Sequence, residues 1–504
     1  MNFAHAYESD TELPPSEEEI EDAASTRTDA ANADAFVRAY PNAYLYVVEW
    51  ETWLAWDSKR WVLPGGKSGA RDRIVQGIIR CTRLREIAAR TTLRALETQL
   101  EAVLAVSGDT SVLDKSIKSQ LRELTWLEQS QMSSRVSACE QLLRGRLAVS
   151  QASLDAQPWR LNVANGTLDL RTGDLYAHDR TDLLTQLTPI EYDRAALSPA
   201  WETFLDRAMG GSVELVAFLR RLVGYNLTGQ TTEHSFAFHY GSGANGKSTF
   251  LSALRDLLGE YSCAAPRTLL IEPRNGAETH PAELARLHGK RLATCPEIPE
   301  GSELSEAKVK DLTGGDTIAV RRMNENWWDL RPTHKLHAAG NHKPIVKGTD
   351  LGIWRRIMLV PWIVTIPEAE RDATLGDRIR AELPGVLAWA VQGCLEWRKD
   401  GLRPPAAVVA ASEEYREESD ILADWMDTLA WEPDAKVPMV QLYKSYRDWA
   451  LELGQQPWSA RRLAARLREK GARKWTARVD GKPAKVWLGV RIKTTMDRVA
   501  EEPN

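Results

Sequence analysis

Eight residues, Gly241-Ser-Gly-Ala-Asn-Gly-Lys-Ser248, have the spacing of a phosphate-binding loop. Glycines let such a loop curl so that successive N–H groups point at phosphate oxygens. Lys247 is placed to reach the β- and γ-phosphates, from a position that we expect to face solvent without nucleotide, and the Ser248 hydroxyl is placed to ligate Mg²⁺. The loop and the residue after it are therefore predicted to bind ATP and Mg²⁺ through Gly241, Ser242, Gly243, Ala244, Asn245, Gly246, Lys247, Ser248 and Thr249.

Such a loop needs a strand before it and a helix after it. Residues 236–240 are apolar and predict a short buried strand, and residues 249–258 predict a helix whose amino terminus favours anions. A second strand, 290–297, ends in Glu297, which is the candidate acid for holding Mg²⁺ and activating water. Glu300 and Glu303 are weaker candidates, and the alternative for Glu297 is an exposed loop glutamate.

A third strand, 335–341, ends in Asn341, whose amide is well placed to orient an attacking water unless it only terminates the strand. Two arginines, Arg355 and Arg356, precede a fourth apolar strand. Arginine can stabilise phosphoryl-transfer charge from a neighbouring subunit. A surface ion-pairing role is the alternative for this pair.

Composition sets limits on the rest of the chain. It has 504 residues, enough for three or more domains, with 43% hydrophobic and 27% charged residues and a net charge of −5. Nucleic-acid binding would therefore depend on local basic patches. The five cysteines include no C-x-x-C pair, which argues against a zinc site or a disulfide framework and favours a reducing, cytoplasmic compartment. The sequence contains no apolar run of about 18 residues, so we predict no membrane span.

The predicted architecture is multidomain α/β. Residues 1–34 predict a disordered acidic arm, 35–197 a Trp-rich β-patch followed by a mostly helical domain, 198–365 the nucleotide-binding core, and 366–430 a helical extension. The Trp cluster around residues 50–61 predicts a small hydrophobic core, with base stacking as the alternative. Residues 161–170 predict a strand–turn–strand around Asn165-Gly166.

Residues 431–495 predict a winged-helix-like domain, because two helical segments precede two strand-like runs. Ser459 is expected to cap the second helix and Gly471 to end it. Arg461 and Arg462 lie in a locally basic stretch that favours duplex DNA. A solvated helix with no ligand is the alternative.

The motifs together resemble the superfamily 3 helicases of the phage and plasmid primase C-terminal type. The matching strings are Gly241–Ser248, Cys295-Pro-Glu297, Leu312-Thr-Gly-Gly-Asp316, Ala339-Gly-Asn-His-Lys-Pro344 and Trp354-Arg-Arg356. Further likeness upstream, in Asn165–Asp174 and Gly224–Gly229, extends it over roughly residues 35–400.

The resemblance implies an AAA+-like ATPase, usually a hexameric homo-oligomer that tracks single-stranded DNA. It implies that Lys247 and Ser248 bind nucleotide and Mg²⁺, that Glu297 is the Walker B acid, that Asn341 is sensor 1, and that Arg355 or Arg356 is the finger acting in trans. Many members have two adjacent acids at Walker B, whereas Glu297 is followed by Ile298-Pro299.

The resemblance also implies a DNA-contacting β-hairpin, here residues 317–323 and 327–331 with its turn at 324–326. Lys310, Arg321 and Arg322 would then contact phosphates, and a purely structural hairpin is the alternative. The expected function is that of a replicative DNA helicase acting on single-stranded and duplex DNA, with a separate primase or other replication proteins as partners. A bifunctional primase–helicase and a non-unwinding origin-binding or loading module remain as alternatives.

Overall fold

The computed structural model describes residues 27–272, 281–295, 297–323, 325–348, 351–419, 422–454, 456–479 and 482–494. It confirms a multidomain α/β chain. Among the described helices, none combines the length and apolar character needed to cross a bilayer.

The N-terminal region joins a small sheet to a helical bundle. Its elements are α1 (Asp29–Ala39), β1 (Tyr44–Val47), β2 (Thr52–Trp56), β3 (Trp61–Val62), α2 (Gly66–Ala105), α3 (Ser111–Gln129), α4 (Ser133–Arg146) and β4 (Ala148–Val149). The sheet order is β3-β2-β1-β4, with β4 parallel to β1. Trp53 and Trp61 are buried, as the predicted small core requires.

The predicted acidic arm needs a correction at its carboxyl end. Residues 1–26 lie outside the described residues, but residues 29–34 are helical. The Thr28 hydroxyl caps α1 by accepting the Ala31 N–H, and Phe36 is fully buried. Capping and burial of one apolar face therefore outweigh the polar composition.

A three-stranded antiparallel sheet follows, formed by β5 (Arg160–Val163), β6 (Gly166–Asp169) and β7 (Asp174–Tyr176). Val163 pairs with Gly166, so Ala164 and Asn165 form the two-residue turn between β5 and β6, in the place where the sequence predicts a turn.

The central sheet is entirely parallel and has the order β14-β8-β13-β10-β9. Its strands are β8 (Phe236–Tyr240), β9 (Ser262–Ala264), β10 (Leu292–Cys295), β13 (Lys335–Gly340) and β14 (Ile357–Pro361). The connecting helices are α7 (Lys247–Leu258), α8 (Pro281–Ala285), α9 (Glu306–Gly314) and α10 (Leu351–Trp354), and a hairpin of β11 (Ile318–Val320) and β12 (Trp328–Leu330) projects before β13. The carboxyl ends of parallel strands share one edge, which is where open α/β sheets bind ligands.

Four helices that precede and follow the sheet in sequence pack against one of its faces. They are α5 (Pro199–Ala208), α6 (Val213–Asn226), α11 (Leu375–Ala381) and α12 (Leu383–Asp400). Helix α13 (Ala406–Glu418) instead lies along the edge strand β14, where the Leu359 N–H donates to Ser412 Oγ. Helices α6 and α12 approach so closely that a Cβ on Gly224 would clash with the Cys394 backbone, and one on Gly393 with the Arg220 carbonyl. The predicted extension 366–430 thus shares a core with residues 199–258.

The C-terminal body contains α14 (Ala423–Met426), β15 (Leu429–Ala430), β16 (Lys436–Pro438), α15 (Met439–Glu452), α16 (Ala460–Glu469), β17 (Arg473–Val479), β18 (Lys482–Leu488) and β19 (Arg491–Ile492). Strands β16, β18 and β17 form one antiparallel sheet. The Ser459 hydroxyl accepts the Arg462 N–H as the predicted cap of α16, and Gly471 follows the helix with a φ of +101°.

Candidate functional site

The loop of residues 241–246 joins β8 to α7 and is shaped by two glycines. A Cβ on Gly241 would clash with the Asn245 amide and the Trp362 carbonyl, so only glycine permits this approach. Gly246 has a φ of +90°, and a Cβ there would lie 2.7 Å from the Phe204 ring. The strand, the loop and the helix lie where the sequence predicts them, except that the helix begins two residues earlier, at Lys247.

Lys247 does not face solvent, which corrects our expectation. Its side chain is buried, and its Nζ donates to the Gly241 carbonyl at 2.6 Å, to Asn245 Oδ1 at 2.9 Å and to Asn341 Oδ1 at 3.2 Å. Burial lowers the pKa of the ammonium, and the Glu297 carboxylate partly offsets that shift. Two of these acceptors lie within the loop, whereas the sequence could not show the contact with Asn341, because that residue follows a distant strand.

A cavity of about 590 Å³ opens at the loop, which is the size range of small-molecule sites. Besides residues 243–249 its lining includes Leu251, Arg255, Thr294, Cys295, Glu297, Ala339, Gly340 and Asn341. Within the described chain, the backbone N–H groups of residues 243–248 have no acceptor. Unpaired N–H groups at a helix amino terminus suit phosphate, and the Ser248 and Glu297 oxygens in the lining suit Mg²⁺, so these residues fit a Mg²⁺–nucleotide.

The three glutamates considered as the catalytic acid occupy different places. Glu297 lines the cavity just beyond β10. Glu300 is outside the lining, with a carboxylate oxygen 3.9 Å from His342 Nδ1, and Glu303 pairs with Lys347 at 2.5 Å. Glu297 is therefore the candidate that shares the cavity with Lys247.

Asn341 follows β13, which lies beside β8 with Gly340 opposite Tyr240. This register brings the amide of Asn341 to the Lys247 ammonium. The geometry thus joins the phosphate-binding loop, Glu297 and Asn341 at the carboxyl ends of three adjacent strands.

A chain of buried hydrogen bonds supports the loop from below. The Trp362 indole N–H donates to His239 Nδ1 at 3.0 Å, and His239 Nε2 lies 3.0 Å from His337 Nδ1. His337 Nε2 in turn lies 2.9 Å from Asn226 Nδ2 and 3.3 Å from Asn226 Oδ1. The Trp362 carbonyl accepts the Asn245 amide at 3.1 Å, which connects this chain to the loop.

The indole fixes the proton positions in this chain because it can only donate. His239 Nδ1 must then be bare, so His239 donates from Nε2 to His337 Nδ1. His337 then donates from Nε2 to Asn226 Oδ1, which requires the Asn226 amide to turn its oxygen rather than its nitrogen toward the ring. Both rings are neutral, since burial lowers the pKa of His337 to about 3 and that of His239 well below its usual value. We term Asn226, His337, His239 and Trp362 the histidine relay.

The histidine relay was missed in the sequence. Its only signal is one histidine in each of two buried strands, His239 in β8 and His337 in β13, and β13 also contains Lys335. Their adjacency depends on strand order, which the sequence does not reveal.

Arg355 and Arg356 lie away from the loop of their own chain. They precede Ile357, which is opposite Phe236, whereas the loop follows the other end of β8, about 13 Å along the strand. The Arg356 guanidinium donates to Thr313 Oγ1 at 3.1 Å and to the Gly352 carbonyl at 2.7 Å. Arg355 is exposed and has no side-chain partner among the described residues, which leaves it as the freer candidate for contact with another subunit.

The hairpin arginines lie in different environments. Arg321 lies over the exposed Trp327 ring, 4.9 Å from its centroid. Arg322 turns inward, is less exposed than Arg321 and lies 4.3 Å from the Trp50 centroid, and its contact with a phosphate stays a prediction. Lys310 lies on α9, outside the hairpin, and Asn324 of the predicted turn lies outside the described residues.

The two arginines singled out on α16 also differ. Arg462 lies over the Trp458 ring at 3.8 Å and donates to the Lys347 carbonyl at 2.9 Å, so it docks the C-terminal body onto the core. Arg461 is exposed. Arg462 is exposed as well, so the contact of both arginines with duplex DNA stays a prediction.

Two family models match the chain. Residues 33–210 match a family described as D5 N terminal like, and residues 239–356 match a family of unknown function, DUF5906. The second match covers the loop, Glu297 and Asn341.

Curated relatives are viral. "Putative helicase L207/L206" of Acanthamoeba polyphaga mimivirus is 27% identical over 325 residues, which cover 59% of this chain and 33% of that protein. "Putative helicase 022R" of Frog virus 3 is 25% identical, covering 46% of this chain and 26% of the relative. "Putative primase C962R" of African swine fever virus is 25% identical, covering 41% of this chain and 22% of that relative. The chain thus spans a third or less of the length of these relatives.

Among solved structures, an apo form of the NrS-1 C-terminal region aligns with a TM-score of 0.38 at 12% identity, covering 60% of this chain and 78% of that one. The D5 N terminal like match and the viral relatives together support a relationship to phage and viral primase–helicase families.

Proposed function

We propose that this chain is an ATP-driven DNA helicase of the superfamily 3, AAA+-like type, which works as a hexameric ring on single-stranded DNA. The observation that carries the proposal is the convergence of Lys247, Glu297 and Asn341 on one cavity at the carboxyl edge of a parallel sheet. The family-level relationship to viral helicases and primases supports it.

Each residue has a distinct task in this proposal. Bound ATP–Mg²⁺ would supply the electrophilic γ-phosphate and the metal charge that stabilises its transfer. The N–H groups of residues 243–248 and Lys247 hold the phosphates, and Ser248 and Glu297 provide oxygens to the metal. Glu297 accepts a proton from the attacking water, which Asn341 orients.

The finger role falls to Arg355 rather than Arg356. Arg356 already uses its guanidinium within the chain, whereas Arg355 is exposed at the amino edge of the sheet. That edge can face the cavity of a neighbouring subunit only if copies of the chain pack head to tail, as in a ring.

The DNA contacts are assigned to two bodies. Arg321 and Trp327 at the hairpin would contact a single strand through charge and stacking. The C-terminal order of strand, two helices and hairpin supports a winged helix, in which Arg461 would contact duplex DNA.

The test is ATP hydrolysis by Glu297→Gln, with Glu300→Gln as the matched control outside the cavity. We expect Glu297→Gln to bind ATP but to lose hydrolysis by about 10²- to 10⁴-fold, because an amide cannot accept the proton. Glu300→Gln should behave as wild type. The reverse result would refute the assignment of the acid.

Strand separation is tested on a forked duplex, with Lys247→Ala as the inactive control. Loss of the main cationic partner of the phosphates should abolish both hydrolysis and unwinding. Wild-type hydrolysis without DNA stimulation or unwinding would instead favour a loading module.

A primase–helicase is the second candidate, and the relative named "Putative primase C962R" is the observation in its favour. Primer synthesis on a single-stranded template by this chain alone would establish it. Its absence would restrict the proposal to unwinding.

A further inference from the structure

A second cavity, of about 890 Å³, lies between the N-terminal sheet and the outer strand of the central sheet. One wall contains Trp50, Thr52 and Trp61, and the other contains residues 262–264 of β9. The cavity is separate from the nucleotide cavity, since no lining residue is shared between the two.

Positive charge dominates this cavity. The charged residues of its described lining are Arg60, Glu260, Arg286, Lys290 and Arg322. The only carboxylate among these five, Glu260, pairs with Arg60. Arg286 is exposed and has no hydrogen-bond or ion-pair partner within the described residues, so its charge is uncompensated.

Two buried donors in the lining are also unsatisfied. Trp50 is 5% exposed and Thr52 is 2% exposed, and neither the indole Nε1 nor the hydroxyl Oγ1 has a partner in the described structure. Both atoms are sealed from solvent, so they lie behind the cavity wall and do not themselves meet an occupant. The surface offered to an occupant is therefore that of the cations and the aromatic faces.

Arg322 connects the cavity to the hairpin. Burial lowers the pKa of its guanidinium, which lies over Trp50, so an adjacent anion would offset the lost hydration. Arg321, the preceding residue, lies over Trp327 outside the cavity. The two arginines thus mark successive positions from the hairpin surface into the cavity.

We propose that this cavity binds the phosphate backbone of the single strand that contacts the hairpin, with the guanidinium groups of Arg286 and Arg322 as its donors. The inference rests on the proposed DNA-tracking function. A single DNA strand fits this cavity better than a free nucleotide does, because the lining combines dispersed cations with aromatic faces and includes no glycine.

The test is binding of a fluorescein-labelled dT20 oligonucleotide to the full chain. Arg286→Glu reverses the charge at a phosphate contact, so it should weaken binding at least about fivefold at roughly 100 mM KCl and lower the salt slope by about 0.7. Arg94→Glu, at an exposed arginine on α2 whose side chain has no partner among the described residues, is the matched control and should stay within about twofold of wild type. Thr52→Val, which removes only a hydroxyl sealed behind the cavity wall, is a second control and should bind like wild type. ATP hydrolysis without DNA should be unchanged in all three.

Equal binding by wild type and Arg286→Glu would overturn the proposal and leave the helicase assignment intact. Failure of wild type to bind dT20 would overturn both. Photocrosslinking of a 4-thiothymidine-containing strand should mark the peptide with Trp50 and Thr52, also in the Lys247→Ala background. If ATP blocks this crosslink in Lys247→Ala, the cavity is a site for a free nucleotide instead. Residues 1–26 can also be deleted from wild type and from Arg286→Glu. If the two proteins then bind dT20 equally, the acidic segment is the occupant of the cavity.

Discussion

Replacing His239 with leucine tests whether the histidine relay holds the phosphate-binding loop. The substitution introduces an apolar side chain of similar size and removes both ring nitrogens. It leaves the Trp362 indole N–H without its acceptor and His337 Nδ1 without its donor. At about 1–3 kcal/mol for each buried group left unpaired, the expected loss of stability is about 2–6 kcal/mol.

The assay is thermal unfolding of the full chain. The relevant transition is the one whose midpoint temperature rises when ATP and Mg²⁺ are added. For a domain of about 150–250 residues this loss of stability corresponds to a Tm lower by roughly 4–24 °C. We also expect a higher KM for ATP, because Trp362 holds Asn245 and Asn245 holds Lys247.

His334→Leu is the matched control. His334 is also buried, but within the described residues neither of its ring nitrogens has a partner. Its replacement should therefore be neutral or stabilising. Equal Tm changes for His239→Leu and His334→Leu would refute the reasoning.

A double-mutant cycle sharpens this prediction. Trp362→Phe alone orphans His239 Nδ1, whereas in the double variant with His239→Leu only His337 Nδ1 is left unpaired. The double variant should thus lose less free energy of unfolding than the two single variants do in sum. The difference should correspond to about two orphaned groups, or about 2–6 kcal/mol. Simple additivity would show that the bonds are not coupled.

Three further outcomes are expected. Arg355→Ala should lose ATP hydrolysis and regain part of it when mixed with a P-loop-lysine variant, because mixed rings retain some intact interfaces. No recovery of hydrolysis in demonstrably mixed rings would refute action in trans. Arg356→Ala should instead lower Tm, because its guanidinium is bonded within the chain. Arg321→Ala should weaken binding to single-stranded DNA and reduce the salt slope by about 0.7, while hydrolysis without DNA persists; unchanged affinity by fluorescence anisotropy would exclude the hairpin contact. Gly224→Ala should lower Tm through overpacking of about 1–3 kcal/mol, and an unchanged Tm would show that α6 and α12 can separate freely.

The local elements were the most predictable part of the fold. The loop spacing, the strand before it and the helix after it are encoded within about 25 consecutive residues. The turn at Ala164-Asn165, next to the predicted Asn165-Gly166, and the Ser459 cap are local as well. Local steric and hydrogen-bonding rules suffice for these features.

Features that depend on distant packing were not predictable. Lys247 is buried because Asn341 comes from a strand 94 residues further along the chain. Arg322 turns inward because Trp50 of the N-terminal sheet offers an aromatic face. Neither contact has a sequence signal, since each joins segments whose adjacency follows only from strand order and domain docking.

The glycine contact between α6 and α12 has a consequence for how the protein can be made. Gly224 and Gly393 are about 170 residues apart, so at ribosomal rates α6 waits on the order of ten to thirty seconds for its partner. During that interval the apolar face of α6, with Phe218 and Leu222, has no cover from α12. A shortened gene that stops at residue 365 would make this exposure permanent, so a fragment for expression should continue through α13.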